Sequence, residues 1–333
     1  MKVKLLLIGI AATLISVNIM AEPIVIRFSH VVAVDTPKGK AAEYFKKRAE
    51  ELTHNQVKVE IYPNSTLYND KEGIEALQIG AIQMLAPSLA KFGPLGVKGF
   101  EVFDLPYIFN SYDDLHKVTQ GSVGRGLLER LSPKGIKGLS YWDNGFKVFS
   151  SNKPISSVDE FKGQKMRIQS SKILDAQMRA LGALPQVMAF SEVYQALQTG
   201  VVDGTENPPS NLYTKKMYEV QKYVRVSNHG YLGYALITNK KFWDSLPDEV
   251  RSQLEQAIKE STEYGNKIAK EKNEQDLESV RKSGKCEVFV PNAEEQQAMK
   301  KALIKVHEEM GDRVGKDLIK QVYQATGFDP STI

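Results

Sequence analysis

The segments that decide the fold class are IVIRFS (residues 24–29), the stretch that begins at Pro37, and VKVEI (residues 57–61). In the first and third segments apolar residues recur at every second position, which predicts two β-strands. Pro37 suits the first turn of a helix, and the apolar residues after it recur at helical spacing: Ala41, Ala42, Phe45, Ala49 and Leu52. The order strand, helix, strand favours a parallel α/β sheet, in which ligand sites lie beyond the carboxyl ends of the strands.

A related phrase occurs twice in the chain, as EALQIGAIQ (residues 75–83) and as QALQTGVVD (residues 195–203). Each copy is typical of a helix end, a glycine cap and a following strand. Coincidence is one explanation, because glycine often follows a helix. The other is a pair of similarly built α/β lobes, which would direct residues 86–90 and 204–207 at a shared cleft.

The longest helical pattern begins at the start signal Ser245-Leu246-Pro247-Asp248 and continues to Ser283, with Gly265 as its only breaker. At about 1.5 Å per residue, a helix of this length exceeds the width of one small lobe. We therefore expect it to span both lobes. Shorter patterns predict strands at residues 145–151, 165–169 and 235–237 and helices at residues 172–181 and from Ser191.

The N-terminus has the pattern of a signal peptide. Lys2 and Lys4 precede an apolar run, and Ala21 follows it. A retained membrane anchor is the alternative, but a spanning helix needs about 20 apolar residues, and Thr13 interrupts a shorter run. The sequence predicts a signal peptide over residues 1–21, cleavage after Ala21 and a periplasmic protein. At about 150 residues per domain, residues 22–333 suggest two domains.

Composition and motifs exclude several classes of function. The net charge is +4, two of the positive charges belong to Lys2 and Lys4, and both signs are interspersed, which argues against a nucleic-acid surface. Cys286 is the only cysteine, so no intrachain disulfide can form. The sequence contains no phosphate loop, dinucleotide-binding turn, nucleophile elbow or histidine pair at metal spacing. We therefore predict neither an enzyme nor a bound cofactor or metal.

Two positions carry binding chemistry. Arg167 alternates with Met166 and Ile168, so a strand would direct it to the face opposite these apolar residues, and its guanidinium could form two parallel hydrogen bonds to a carboxylate. An ordinary surface arginine on an edge strand fits the same spacing. Pro208 keeps Asn207 out of the helical region, which fixes an amide that can donate and accept. A simple turn into the next helix is equally compatible with that segment.

Four phrases give the chain a specific resemblance to a known family. They are YWDNGFK (residues 141–147), KMRIQSS (165–171), AFSEVYQALQTGVVDGTENP (189–208) and NHGYLGY (228–234). In this order they resemble the solute-binding proteins of tripartite ATP-independent periplasmic (TRAP) transporters, over essentially the whole mature chain. Within that family, the sequence is most similar to the binders of four-carbon dicarboxylates.

The resemblance implies a set of ligand-binding residues. The family's carboxylate-clamping arginine falls on Arg167, its turn asparagine on Asn207 and its ligand-packing aromatic residue on Phe190. Lys147 stands where many members have a second arginine, which replaces a planar fork by a point charge. Less specific matches place three more residues in segments that line the cleft: His30, Lys38 and Ser88. His229 also matches such a segment, although a hydrogen-bonded structural histidine is the alternative.

The family fold implied by the resemblance is α/β, with two lobes, a cleft between them and one long helix that spans both. The expected division is residues 22–144 plus 233–272 for the first lobe and 145–232 plus 273–333 for the second, with crossings near Gly145 and Leu232. Arg167 would bind one carboxylate of a succinate, malate or fumarate, while Lys147, Lys38 or a polar group from the first lobe would bind the other. A ligand that bridges the lobes in this way would favour a closed form that the membrane permease subunits bind. A monocarboxylate, keto acid or sugar acid is the alternative ligand within the family.

Overall fold

The computed structural model describes residues 22–333, so the predicted signal peptide lies outside the described residues. The helices are α1 (Pro37–Leu52), α2 (Asp70–Gln78), α3 (Tyr112–Thr119), α4 (Ser122–Glu129), α5 (Lys172–Ala180), α6 (Val193–Gln198), α7 (Pro209–Thr214), α8 (Lys240–Ser245), α9 (Asp248–Lys282), α10 (Ala293–Glu309), α11 (Gly311–Val314) and α12 (Lys316–Thr326). The strands are β1 (Ile24–Ser29), β2 (Val57–Tyr62), β3 (Met84–Leu85), β4 (Ile136–Phe146), β5 (Val148–Ser151), β6 (Lys165–Ile168), β7 (Leu184–Val187), β8 (Gly204–Asn207), β9 (Tyr223–Arg225), β10 (Tyr231–Asn239) and β11 (Glu287–Phe289).

The strands form two sheets, and each sheet is the centre of one lobe. The first lobe contains five strands in the order β2-β1-β3-β10-β4, and the second contains six in the order β11-β9-β5-β8-β6-β7. Strand β1 pairs in parallel with β2 and β3, and β6 pairs in parallel with β7 and β8. This arrangement confirms the two-lobed α/β fold and the opening strand, helix, strand order.

The local sequence explains why helix α1 begins where it does. The Thr36 hydroxyl accepts a hydrogen bond of 3.1 Å from the Gly39 amide, and Pro37 occupies the first turn. A side chain at Gly39 would collide with the carbonyl oxygen of Ala33, since an added Cβ would lie only 2.4 Å from it. The loop that precedes α1 is therefore held tightly against the first turn of the helix.

The chain crosses between the sheets twice. It passes from β4 in the first sheet to β5 in the second between Phe146 and Val148, and it returns between Arg225 and Tyr231. The family resemblance predicts crossings near Gly145 and Leu232.

Helix α9 connects the two lobes, as the sequence predicts. It packs against α1 and β4 of the first lobe and against α7 and β11 of the second. Gly265 does not break the helix; it allows α1 to approach, because an added Cβ would lie 2.8 Å from that of Ala41. Near the crossing, Asn273 accepts a hydrogen bond from the Ser210 amide (2.9 Å) and donates one to the Asn144 carbonyl (2.8 Å).

The C-terminal helices divide between the lobes. Helix α10 packs against α5 of the second lobe, but α12 packs against α3 and α4, and α11 packs against the 3₁₀ helix Lys98–Asp104. Both α11 and α12 share an apolar core with the first lobe. The sequence assigns all of residues 273–333 to the second lobe. The packing of residues 311–326 differs from that assignment because Leu318, Ile319 and Val322 bury their side chains beside Leu115 and Leu127.

The described residues contain no helix whose length and apolar character would let it cross a bilayer.

Candidate ligand-binding cleft

A cavity of about 160 Å³ lies between the two lobes. It is formed where β1, β3, β6 and β8 end, which is the position expected for a ligand site in a parallel α/β sheet. The first lobe contributes Val31, Val32, Asn69, Asp70, Lys71, Ser88, Lys91, Leu232 and Tyr234. The second lobe contributes Arg167, Gln169, Ser170, Val187, Met188, Ala189, Phe190, Asn207 and Asn211.

Arg167 is the central cation of this cleft. Its side chain is only 2% exposed, and its Nε and Nη2 atoms both donate to one acceptor, the Met188 carbonyl, at 3.2 and 2.9 Å. Within residues 22–333 it forms no ion pair with a carboxylate. Burial lowers its pKa to about 10, so the guanidinium stays charged near neutral pH. Arg167 is thus a buried positive charge whose carboxylate partner the described chain does not supply.

The other second-lobe residues predicted to bind ligand lie beside Arg167. The Phe190 ring centroid is 5.9 Å from the Arg167 guanidinium carbon and 5.8 Å from the Lys215 Nζ. Asn207 ends β8, where its side chain donates to the Thr205 hydroxyl and accepts from Asn211 at 3.3 Å in each case. The structure brings these three predicted side chains together, and their contact with a ligand stays a prediction.

The first lobe places Ser88 in the cleft, but it keeps Lys38 and His30 behind the cleft wall. Lys38 is buried. Its Nζ donates to the Ala86 carbonyl at 2.9 Å and lies 3.6 Å from the Tyr234 ring centroid. Burial lowers its pKa to about 8. His30 is also buried, neither ring nitrogen has a hydrogen-bond partner in the described chain, and burial followed by the Lys38 charge lowers its pKa to about 3.

Sequence reasoning missed three charged residues that line the cleft: Asp70, Lys71 and Lys91. Asp70 begins α2, is nearly buried, and its Oδ1 atom lacks a hydrogen-bond partner in the described chain. Lys91 ends a short 3₁₀ turn, Leu89–Lys91, and its Nζ donates to the Ser170 hydroxyl at 3.3 Å. A signal for Lys91 was available, because it immediately follows the segment 86–90 that the repeated phrase directs at the cleft.

Lys147 and His229 form a separate buried network and do not line the cleft. The Lys147 Nζ lies 2.9 and 3.0 Å from the two carboxylate oxygens of Glu206, and the His229 Nε2 lies 3.2 Å from the same carboxylate. The other His229 nitrogen is 2.7 Å from the Ser227 hydroxyl, and the ring stacks on Phe149. The second-carboxylate role expected of Lys147 does not fit this arrangement, because Glu206 already neutralises its charge.

The pKa values of this network follow from its ion pairs. Burial by itself would raise the pKa of Glu206, but the charge of Lys147 and the hydrogen bond from His229 outweigh burial and lower it. Burial lowers the pKa of His229, so its ring is held as a neutral hydrogen-bonding group. The geometry therefore matches the structural alternative for His229 that the sequence left open.

Within residues 22–333 no group of three or more His, Cys, Asp or Glu side chains is arranged to hold a metal ion. Cys286 is half-buried, and burial raises its pKa to about 11, which disfavours a reactive thiolate.

Two α/β lobes around a cleft that contains an unpaired buried arginine define a binding protein for anionic solutes. The chain belongs to the bacterial extracellular solute-binding protein family 7, whose model matches residues 28–313. It is 64% identical over 312 residues to the C4-dicarboxylate-binding periplasmic protein DctP of Rhodobacter capsulatus, and the match covers 94% of each chain.

Solved structures agree with this family membership. A TRAP periplasmic solute-binding protein from Shewanella oneidensis with bound succinate has a TM-score of 0.89 and 41% identity, over 91% of this chain and 99% of that one. A second TRAP periplasmic solute-binding protein, from Pseudomonas aeruginosa with bound L-malate, has a TM-score of 0.84 and 43% identity, over 86% and 100%. The resemblance inferred from the sequence phrases is therefore confirmed.

Proposed function

We propose that this chain captures a four-carbon dicarboxylate in the periplasm and delivers it to the membrane subunits of a TRAP transporter. The observation that carries the proposal is Arg167, a buried cation with no carboxylate partner in the described chain. A bound carboxylate would accept charge-assisted hydrogen bonds there, each contributing about 1.5 to 3 kcal/mol.

The charge of the cleft supports a ligand with two negative charges. Its charged lining residues are three cations, Lys71, Lys91 and Arg167, and one anion, Asp70, so the formal charge of the lining is +2. Burial of charges is unfavourable unless they are paired, and a dianion would neutralise this set. The ligands named for the relatives reported above, C4-dicarboxylates, succinate and L-malate, are of this kind.

Lobe closure would convert ligand binding into a signal for the membrane subunits. The cleft is lined by both lobes, so a bound ligand contacts both only when they are close together. Only such differential contacts can shift an equilibrium between open and closed forms. The chain itself then performs no chemical step, and coupling to ions belongs to the membrane subunits.

The periplasmic location in this proposal depends on the predicted signal peptide. The DctP relative from Rhodobacter capsulatus is named a periplasmic protein, which supports it. Export of the full chain with loss of the first 21 residues, measured by cell fractionation and N-terminal analysis, is the expected result.

A ligand panel tests the function directly. Purified protein is heated with succinate, malate, fumarate, acetate, butyrate or a neutral sugar, and the unfolding temperature is measured. A ligand that binds only the native state stabilises it by about 2.7 kcal/mol at a hundredfold excess over Kd, so the three dicarboxylates should raise the unfolding temperature. Equal shifts from acetate and succinate, or a large shift only from a sugar acid, would contradict the dicarboxylate assignment.

A further inference from the structure

The cleft needs a second cation if a dicarboxylate is to bind there, and two of the expected lysines are already occupied. Lys147 is paired with Glu206, and Lys38 donates to the Ala86 carbonyl and faces the Tyr234 ring from behind the cleft wall. Two lysines do line the cleft: Lys71, which is exposed to solvent, and Lys91, which is half-buried.

Lys91 has the position and the unused hydrogen-bond donors that a second anchor requires. It belongs to the first lobe, whereas Arg167 belongs to the second, so a ligand held by both would bridge the cleft. In the described chain Lys91 forms no ion pair, and its hydrogen bond to the neutral Ser170 hydroxyl is long, at 3.3 Å. An ammonium group has three donors, which leaves donors for a carboxylate.

The electrostatics of the cleft point to the same residue. Burial lowers the pKa of Lys91, and the Asp70 carboxylate, the next-largest effect, opposes this change. The positive charge of Arg167 lowers the pKa further, and the Asp104 carboxylate opposes it. Lys91 and Arg167 are therefore like charges that repel each other across a partly desolvated space. A molecule with a carboxylate at each end would place one negative charge beside each cation.

We propose that Lys91 is the specificity-determining residue that binds the second carboxylate and so distinguishes dicarboxylates from monocarboxylates. This inference rests on the proposed function, because it assigns one end of the proposed ligand. Arg167 clamps the first carboxylate, and Lys91 reaches the other from the opposite lobe.

The hydrogen bond from Lys91 to Ser170 connects ligand binding to closure of the two lobes. Lys91, Ser170 and Lys71 line both the cleft and an adjoining cavity of about 240 Å³. The Lys91 to Ser170 contact joins the first lobe to the second at the boundary between these two spaces. Lys91, which binds the second carboxylate in this proposal, therefore also forms a hydrogen bond between the two lobes.

The test compares succinate with butyrate, which has the same four-carbon chain but one carboxylate. Dissociation constants are measured by calorimetry, with butyrate followed by competition, for wild type and for Lys91→Met. Removing one charge-assisted contact should weaken succinate about 10- to 100-fold, while butyrate affinity stays nearly unchanged. Lys91→Arg should retain most of the preference for succinate.

Three controls separate this role from a structural one. Lys98→Met removes an exposed first-lobe lysine that does not line the cleft and should leave the preference unchanged. Ser170→Ala removes the hydrogen bond from Lys91 to the second lobe and should weaken the binding of succinate and of butyrate equally. Unfolding without ligand checks that each variant folds, and Lys91→Gln replaces Lys91→Met if the latter does not.

The outcomes distinguish the inference from the proposed function. Wild type that binds succinate no better than butyrate would overturn both. Wild type that prefers succinate, together with a Lys91→Met or Lys91→Gln variant that keeps the full preference, would overturn only the role of Lys91. A loss of preference in Ser170→Ala as large as that in Lys91→Met would also overturn it, because the preference would then depend on the contact between lobes.

Discussion

Arg167 and Lys147 are both buried second-lobe cations, but their surroundings differ. Lys147 is 1% exposed and contacts both oxygens of Glu206, which also accepts from His229. Arg167 is 2% exposed, yet its hydrogen bonds go to a single neutral carbonyl. Because a buried charge is unfavourable without a partner, the first arrangement is complete in the protein alone, and we propose that a ligand completes the second.

Two of the three buried histidines in the described chain show the same contrast. His229 has a partner for each ring nitrogen, Glu206 and Ser227. Neither ring nitrogen of His30, beside the cleft, has a hydrogen-bond partner in the described chain. His229 is thus part of a satisfied hydrogen-bond network, whereas the buried His30 ring is not.

Glu206→Gln should give the largest change in free energy, a loss of folding stability, because it breaks the ion pair at the centre of the buried network. The substitution keeps the size of the side chain but leaves Lys147 as a buried charge without its partner. Breaking a buried ion pair in this way costs about 3 to 5 kcal/mol. We expect the free energy of unfolding, measured in urea without ligand, to fall by that amount.

A double variant provides the control for this prediction. Replacing both partners, Lys147→Met with Glu206→Leu, removes the buried charges together and should cost less than Glu206→Gln alone. An unfolding midpoint for Glu206→Gln equal to that of wild type would mean that the network does not stabilise the second lobe.

Arg167→Ala should produce the opposite pattern, with lost binding and retained folding. Without Arg167 a bound carboxylate would be buried and unpaired, which costs about 2 to 5 kcal/mol of binding free energy. Calorimetry with succinate measures this loss, and unfolding without ligand checks stability. Arg167→Lys should also bind poorly, because an ammonium cannot reproduce the planar fork. Wild-type affinity in either variant would show that Arg167 is not the clamp.

The sequence predicted the fold better than it predicted the site, and particular residues show why. Helix α9 and the opening strands follow from local periodicity and turn signals, which neighbouring residues determine, whereas the crossings were expected from the family resemblance. The first part of β4, residues 136–144, was missed because its polar and aromatic side chains do not alternate clearly. Whether a cation is free or neutralised depends on distant residues.

Lys147 illustrates the limit for the site. It is 59 residues from Glu206 in the chain, and its spacing gives no indication that the two form an ion pair. Arg167, Asn207, Phe190 and Ser88 were assigned from the family resemblance; all four line the cleft, and their contact with a ligand stays a prediction. Asp70 lies at a helix start, where an acidic residue has an ordinary explanation in helix stability.

The buried His30 predicts that the folding stability depends on pH. The pKa of His30 is lowered to about 3, whereas in the unfolded chain it is about 6.5. Below about pH 6.5 the unfolded chain therefore binds a proton that native His30 does not, so wild-type stability falls as the pH falls, by about 1.4 kcal/mol per unit. Above that pH the contribution of His30 is constant.

His30→Gln removes this titration while the other histidines remain. Between about pH 6.5 and about pH 5 the variant should lose about 2 kcal/mol less stability than wild type, from the slope above. Urea unfolding at both pH values measures the difference. Parallel stability curves would show that His30 is protonated as readily in the native protein as in the unfolded chain.

Phe190→Leu should give the smallest change, because the ring supports Arg167 and is not itself an anchor. The ring lies 5.9 Å from the guanidinium carbon, and such cation–π contacts contribute about 0.5 to 1 kcal/mol at exposed sites. Leucine keeps apolar cover but lacks the π face, so succinate affinity should fall about two- to fivefold, whereas Phe190→Tyr should bind like wild type. A loss as large as that of Arg167→Ala would mean that binding depends on the aromatic cover more than on the charge, and the distinction between satisfied and unsatisfied cations would no longer explain the site.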